Sequence, residues 1–162
     1  MAEGADDALR FAADKMLGRL ARWLRIIGQD VIYGQHLSGH GLVRAAARER
    51  RIMLTRDRRI WLRNRDRSIF IRDDHFRGQL KQVVEAYGLD PFPGLLTRCV
   101  ECNERLEPIA REQVKDTVPP YVFETQEVFS LCPGCRRVFW PATHQKLMIE
   151  ELERLGFAAP GN

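Results

Sequence analysis

The stretch from Phe11 to Gly28 narrows what this chain can fold into more than any other. Leu9 to Ala13 is a short apolar run of the kind that forms a first strand, and Asp14 ends it. A helical pattern follows at once. Met16, Leu17, Leu20, Trp23, Leu24 and Ile27 recur at spacings of three and four and so share one face. Arg19, Arg22 and Arg25 recur at threes on another, and Gly28 stands where a C-terminal cap belongs. The order is strand, carboxylate, amphipathic helix. In an open α/β sheet ligands bind at the carboxyl ends of the strands, which is where Asp14 would lie. A carboxylate there can equally cap the free N–H groups of the helix. The two roles are compatible.

The same alternation continues. Asp30-Val31-Ile32-Tyr33 reads as a second strand, and Leu42, Val43, Ala46 and Ala47 mark a helix over about Gly39–Glu49. Arg51 to Thr55 is a compact apolar run bounded by charge, the pattern of a buried parallel strand, with Arg56-Asp57 directly after it. Ile60, Trp61 and Leu62 suggest a short helix or turn. Ser68 to Ile71 is a fourth strand, ended by Arg72-Asp73-Asp74. Phe76, Leu80, Val83, Val84 and Tyr87 form a last helical face that Gly88 stops. Strands alternating with helices imply βαβ units, a mainly parallel sheet and right-handed crossovers, so every strand's carboxyl end falls on one edge. Asp14, Asp57 and the Asp73-Asp74 pair share that edge. Clustered carboxylates repel one another unless a cation sits among them, and magnesium or manganese prefers such oxygen ligands. A site of that kind in a basic setting suits phosphodiester hydrolysis.

Charge supports an anionic partner. Residues 1–98 carry 19 Lys and Arg against 12 Asp and Glu, a balance of +7, whereas residues 99–162 carry 7 against 10, a balance of −3. Nearly all the basic residues of the first part are Arg, which suits bidentate phosphate contacts. Arg19, Arg22, Arg56, Arg58 and Arg59 lie beside the acidic edge and are the candidate RNA contacts. No apolar run approaches the ~20 residues of a membrane span. The opening Met-Ala-Glu-Gly-Ala-Asp-Asp is acidic, so residues 1–8 read as a disordered leader and the protein as cytoplasmic.

Leu89 to Gly94 holds two prolines and a glycine and marks a boundary, giving an α/β domain over residues 9–94 and a small second region over 95–157. There the only four cysteines form two pairs, Cys99-Val-Glu-Cys102 and Cys132-Pro-Gly-Cys135, separated by 29 residues. Each pair can turn two thiolates toward one point, completing a tetrahedral zinc site with no open position; a redox dithiol is the alternative. The separation exceeds the usual zinc spacing. Thr117-Val-Pro-Pro-Tyr121 and its apolar surroundings suit an inserted hairpin or loop. Val138-Phe-Trp140 follows, then a helix from about Thr143 with Leu147, Ile149, Leu152 and Leu155 mostly to one side. His144 at its start fits a cap or surface histidine, or a nucleic-acid contact.

Together, Asp14 before Met-Leu-Gly-Arg-Leu-Ala-Arg-Trp-Leu-Arg-x-x-Gly, Ile52-Met-Leu-Thr-Arg-Asp57, Gln79-Leu80, the two cysteine pairs and Trp140-Pro-Ala-Thr-His144 resemble the Mut-seven C-terminal RNase family. The resemblance spans roughly Arg10 to Leu155. It implies a PIN-like three-layer α/β/α fold with an attached zinc ribbon, and cleavage of RNA with magnesium or manganese. Asp14 and Asp57 are the acids carried over. In the family the second helix opens with an acidic pair; here those positions hold Ser38 and Gly39, with His40 next. That loss weakens divalent affinity, and Asp73, Asp74, His36 or His40 are the side chains available to compensate. The leading expectation is a metal-dependent ribonuclease. The second is an RNA- or ribosome-binding module that keeps the fold with weak or lost catalysis. A toxin-type PIN-like protein held by a partner is a third, and the Arg density and cysteine pairs argue against a receiver-like domain.

Overall fold

In a computed structural model of the chain, residues 8–141, 143–159 and 161 are described. The expected leader therefore lies almost wholly outside them. The chain divides into two compact units, one of residues 1–25 and 29–89, the other of residues 26–28 and 90–162. No helix among the described residues is long and apolar enough to cross a membrane.

The first unit is mixed α/β. Its strands are β1 (Arg10–Ala13), β2 (Asp30–Ile32), β3 (Ile52–Thr55) and β4 (Ser68–Phe70). They form one parallel sheet in the order β2-β1-β3-β4, with Phe11 beside Val31 and Ile52, and Leu54 beside Ile69. β1 lies inside the sheet, and Phe11, Ala12 and Ala13 are wholly buried, as an interior parallel strand requires. Its helices are α1 (Gly18–Ile26), whose last residue counts with the second unit, α2 (Gly39–Glu49), α3 (Arg58–Arg63) and α4 (Phe76–Tyr87).

Alternation along β1 sends neighbouring side chains to opposite faces. Ala12 packs with Leu42 and Ala46 of α2, and with Leu37 and Met53. Phe11 meets the Tyr87 ring of α4 edge-on at 5.4 Å. On α1 the expected face holds for Leu17, Leu20, Leu24 and Ile27, all buried. Met16 departs from it at 57% exposure. The helix starts only at Gly18, so Met16 sits in the preceding turn, where helical phase has no force. Helix α2 covers the expected span and ends on Arg50 in the left-handed conformation (φ 53°). Gly88, likewise left-handed, caps α4.

On the amino side of the sheet, Arg51 donates to Asp30 and Glu49, each at 2.6 Å, and to the Phe11 carbonyl at 3.2 Å. Burial works to lower the Arg51 pKa, but these hydrogen bonds outweigh it and hold the guanidinium above its ordinary value. The bond from Arg51 in turn draws the Glu49 carboxyl below the usual carboxylate range, against a smaller opposing effect of burial.

The second unit holds an antiparallel sheet of β5 (Glu107–Ile109), β6 (Phe129–Leu131) and β7 (Val138–Phe139), a short helix α5 (Pro120–Thr125) and α6 (Thr143–Arg154). The long stretch between the cysteine pairs is more than a hairpin or loop. It runs strand, 3-10 turn (Arg111–Val114), α5, strand, and Val114, Val118, Val122 and Phe129 give it a small core of its own. The two prolines explain the helix: Pro120 stands at its first position, where a missing N–H costs nothing. In α6 Leu152 is buried but Leu147 is 55% exposed, so the face is narrower than its spacing implies.

Candidate functional site

Asp14 leaves β1 directly into a turn that neighbouring segments fix in place. Its N–H donates to the Leu54 carbonyl at 2.9 Å, and Lys15 N–H to Leu37 O at 2.9 Å. The Tyr33 hydroxyl donates to Lys15 O at 2.7 Å. The Asp14 side chain is only 2% exposed. Its Oδ2 accepts the Thr55 hydroxyl at 2.8 Å, while its Oδ1 is buried without a hydrogen-bond partner. Asp14 therefore spends neither oxygen on capping α1, which begins four residues later. A buried carboxylate oxygen left without a donor is costly, and a hard cation is one of the few groups that can relieve it.

Asp57 is held differently. Its Oδ1 accepts the N–H groups of Arg59 (2.8 Å) and Ile60 (3.2 Å) as the N-cap of α3, leaving Oδ2 as the oxygen it can offer. Its own N–H donates to Thr55 Oγ1 at 3.0 Å. Thr55, wholly buried, thus ties both acids to one hydroxyl. Sequence reasoning passed over it. The available signal was a lone hydroxyl closing an apolar strand one residue before Arg-Asp.

Asp73 and Asp74 are exposed. Asp73 Oδ1 accepts the His75 N–H at 2.8 Å, and Gly78 makes room for this carboxylate, since a Cβ there would sit 2.0 Å from Asp73 Oδ2. Asp74 pairs with Arg56, whose guanidinium also reaches the carbonyls of Ile71 (3.4 Å), Arg72 (3.1 Å) and Asp73. Arg56 is the clamp of this loop. Arg19, Arg22, Arg58 and Arg59 are exposed, with Arg19 over the ring of Phe76 at 5.6 Å. Ser38 caps α2 without a side-chain hydrogen bond. Gly39 is left-handed (φ +51°) and faces open space. His36, His40 and His144 are exposed.

The cysteines behave otherwise. The Sγ atoms of Cys99, Cys102, Cys132 and Cys135 all lie within 4.8 Å of one another, the sole group of three or more such ligands among the described residues. Both pairs are built alike. Asn103 N–H donates to Cys99 O and Arg136 N–H to Cys132 O, each at 2.9 Å. Cys99 N–H donates to Glu104 O at 2.8 Å and Cys132 N–H to Arg137 O at 2.9 Å. Asn103 (φ 72°) and Arg136 (φ 65°) are both left-handed. Neither residue stood out in the sequence, because nothing local announces a positive φ at an arginine. Cys99 and Cys132 are buried and the other two reach the surface. Burial pushes the Cys99 thiol up to about 12. At Cys132 burial also works upward, but the N–H groups of Cys135 and Gly134 and the neighbouring thiols prevail and bring it down to about 7. Four converging sulfurs could hold a metal ion, and soft thiolates in a closed set fit zinc.

Residues 9–152 match the family model described as Mut7-C RNAse domain. No curated protein matches the chain.

Proposed function

The chain belongs to the Mut7-C RNAse domain family, and from that premise we propose that it is a divalent-metal-dependent ribonuclease working at the carboxyl edge of the parallel sheet. The fold in this reading is PIN-like, with helices on both faces of the sheet over residues 9–94 and a zinc ribbon over 95–157. The observation that carries it is Asp14: buried, held by Thr55, and keeping one carboxylate oxygen without a partner. Asp14 and Asp57 hold magnesium or manganese, with Asp73 and Asp74 flanking. When bound, the cation supplies a more acidic water and neutralises charge on the scissile phosphate. The protein's own part is positioning. Thr55 fixes Asp14, the α3 cap fixes Asp57, and Arg56 holds the 71–74 loop. Arg19, Arg22, Arg58 and Arg59 take the flanking phosphates. The four cysteines hold a structural zinc.

One observation favours the second reading, an RNA- or ribosome-binding module with weak catalysis. Among the described residues no three carboxylates come close enough to share a metal, and Ser38 and Gly39 stand where the resemblance expects acids. A nuclease assay on single-stranded and structured RNA decides between them. Its arms are magnesium, manganese, EDTA, and EDTA followed by magnesium with zinc restored. Cleavage that needs magnesium or manganese supports the enzyme. Salt-sensitive binding without cleavage in any arm supports the module.

A further inference from the structure

β4 is the outer strand of the parallel sheet, and a groove of about 540 Å³ runs along it. Trp61 of α3 and Phe70 supply its aromatic wall, with Ile69 on the floor and Gln82, Glu85 and Arg72 along the rim. Three features define what this groove can take. The Gln82 side-chain amide accepts the Arg72 N–H at 3.0 Å and donates to the Phe70 carbonyl at 2.8 Å. It therefore bonds the strand edge as a neighbouring peptide unit would, and blocks an added β-strand there.

The surroundings are strongly cationic. Residues 58–72 contain six arginines and a single acid, Asp66, and all six arginines are exposed. Glu85 opposes this field, but Lys81 lies 3.9 Å from its carboxylate. The rings are arranged with cations. The Arg65 guanidinium lies over Trp61 at 4.9 Å, and Trp61 meets Phe70 at 5.6 Å. Finally, the groove opens at the same end as the acids, because Arg72 directly precedes Asp73 and Asp74.

We propose that the Trp61 groove is a subsite for single-stranded RNA, gripping the strand that extends from the cleavage edge. The substrate class rests on the ribonuclease reading above. Every base has a π face that can lie on Trp61 or Phe70, and exposed arginines track a phosphate backbone without reading sequence. A duplex keeps its bases stacked inside and has none to offer these rings. Arg65 and Arg67 meet the backbone beside Trp61, and Arg72 hands the strand to the acidic edge.

The test measures binding of a fluorescent 12-nucleotide oligouridine and of a 12-base-pair RNA duplex, with no added divalent cation. The proteins are the parent, Trp61→Ala, Trp61→Phe and the exposed pair Arg65→Gln with Arg67→Gln. Losing one stacking platform should weaken oligouridine binding roughly 10-fold in Trp61→Ala, with Trp61→Phe near the parent. The double Arg variant should weaken it and flatten its salt dependence by about two units of log–log slope. Duplex binding should not respond to Trp61. Trp61→Ala binding oligouridine as the parent does overturns the proposal, as does an equal loss for the duplex. Should Trp61→Ala fail to fold, an unchanged affinity in the double Arg variant overturns it instead. The two readings fail separately. A parent that never cuts RNA, but loses oligouridine on Trp61→Ala, refutes the nuclease and keeps the groove. A parent that cuts, with Trp61→Ala binding unaltered, does the reverse.

Discussion

In the second unit, two turns of the same build each present two thiols, and four sulfurs meet within 4.8 Å. In the first unit, carboxylates arrive one at a time from the ends of β1 and β3, and no three of them gather. The difference follows from the elements. A C-x-x-C turn closes on its own hydrogen bonds, with a left-handed residue after it, so each half of the cluster is complete before the halves meet. A parallel sheet delivers one residue per strand at its edge, and each acid must be held by something else. Thr55 does that for Asp14, and the α3 N-terminus does it for Asp57. A site that closes around its metal can only hold structure; a site that must admit a substrate keeps its ligands apart and open.

The sharpest way to break this comparison is to remove one thiol. Cys102→Ser should abolish stoichiometric zinc in elemental analysis and unfold the second unit, since structural zinc contributes roughly 10–16 kcal/mol in small metal-dependent folds. Far-ultraviolet circular dichroism should keep most of the first unit's signal. A Cys102→Ser protein that retains one zinc per chain, or keeps its second unit folded after chelation, would put the two regions on the same footing.

Next comes Asp14→Asn. Asparagine keeps the shape and can still accept the Thr55 hydroxyl, so folding should persist while metal-dependent cleavage falls on the order of 100-fold or more. Unlike the cysteine change, this one should leave unfolding curves nearly untouched. Cleavage at the parent's rate would remove the acid edge from the mechanism. Ser38→Asp is the complementary gain. It places a carboxylate where α2 lacks a side-chain cap, and should raise both manganese affinity and the stability of α2. Gly39→Asp is the harder half of such a repair, because its left-handed backbone resists any side chain.

How far these regions could be read from sequence depends on which interactions build them. The strands, the helix over Gly39–Glu49, the edge carrying Asp14 and Asp57, and the pairing of the cysteines are all legible, because periodicity and spacing are local signals. Thr55 was not. Its role exists only once β1 and β3 lie side by side and their ends meet, a relation between residues 41 apart in the chain. Arg56 was legible as a charge but not as a clamp, since its partners are backbone carbonyls of a loop that sequence cannot place. Met16 misled because spacing cannot say where the first helical turn begins.

Thr55 offers a smaller and more discriminating test. Thr55→Val keeps the volume and removes the hydroxyl, leaving Asp14 Oδ2 without its donor and Asp57 N–H without its acceptor. Stability should fall by about 1–3 kcal/mol in urea titrations, the usual cost of stranding buried polar groups. If Thr55 positions Asp14, cleavage should fall about 10-fold with KM for RNA little changed, and Thr55→Ser should recover most of it. A loss of stability with no change in cleavage, or no recovery with Ser, would make Thr55 merely structural. The comparison would then lose its account of how a single carboxylate is held.

The smallest expected effect separates the two units by acid. In the second unit metal binding requires thiolates, so lowering pH should displace zinc by protonating sulfur, beginning below about pH 7, the value to which the Cys132 thiol is brought even without metal. In the first unit the acid-sensitive contact is Glu49 with Arg51. Glu49 has a folded pKa below its ordinary value, so the stability it lends is fully present above the unfolded value of 4.5 and is lost as pH falls through the folded one. The pair is partly open to solvent, and Glu49→Gln should cost only about 0.5 kcal/mol at pH 7, near the middle of what such pairs contribute. The variant should converge on the parent below pH 4, where both residues are neutral. Zinc release and the Glu49-dependent loss should therefore appear as two steps, the metal first. A Glu49→Gln deficit that persisted unchanged at pH 3 would mean that packing, and not charge, is what Glu49 supplies.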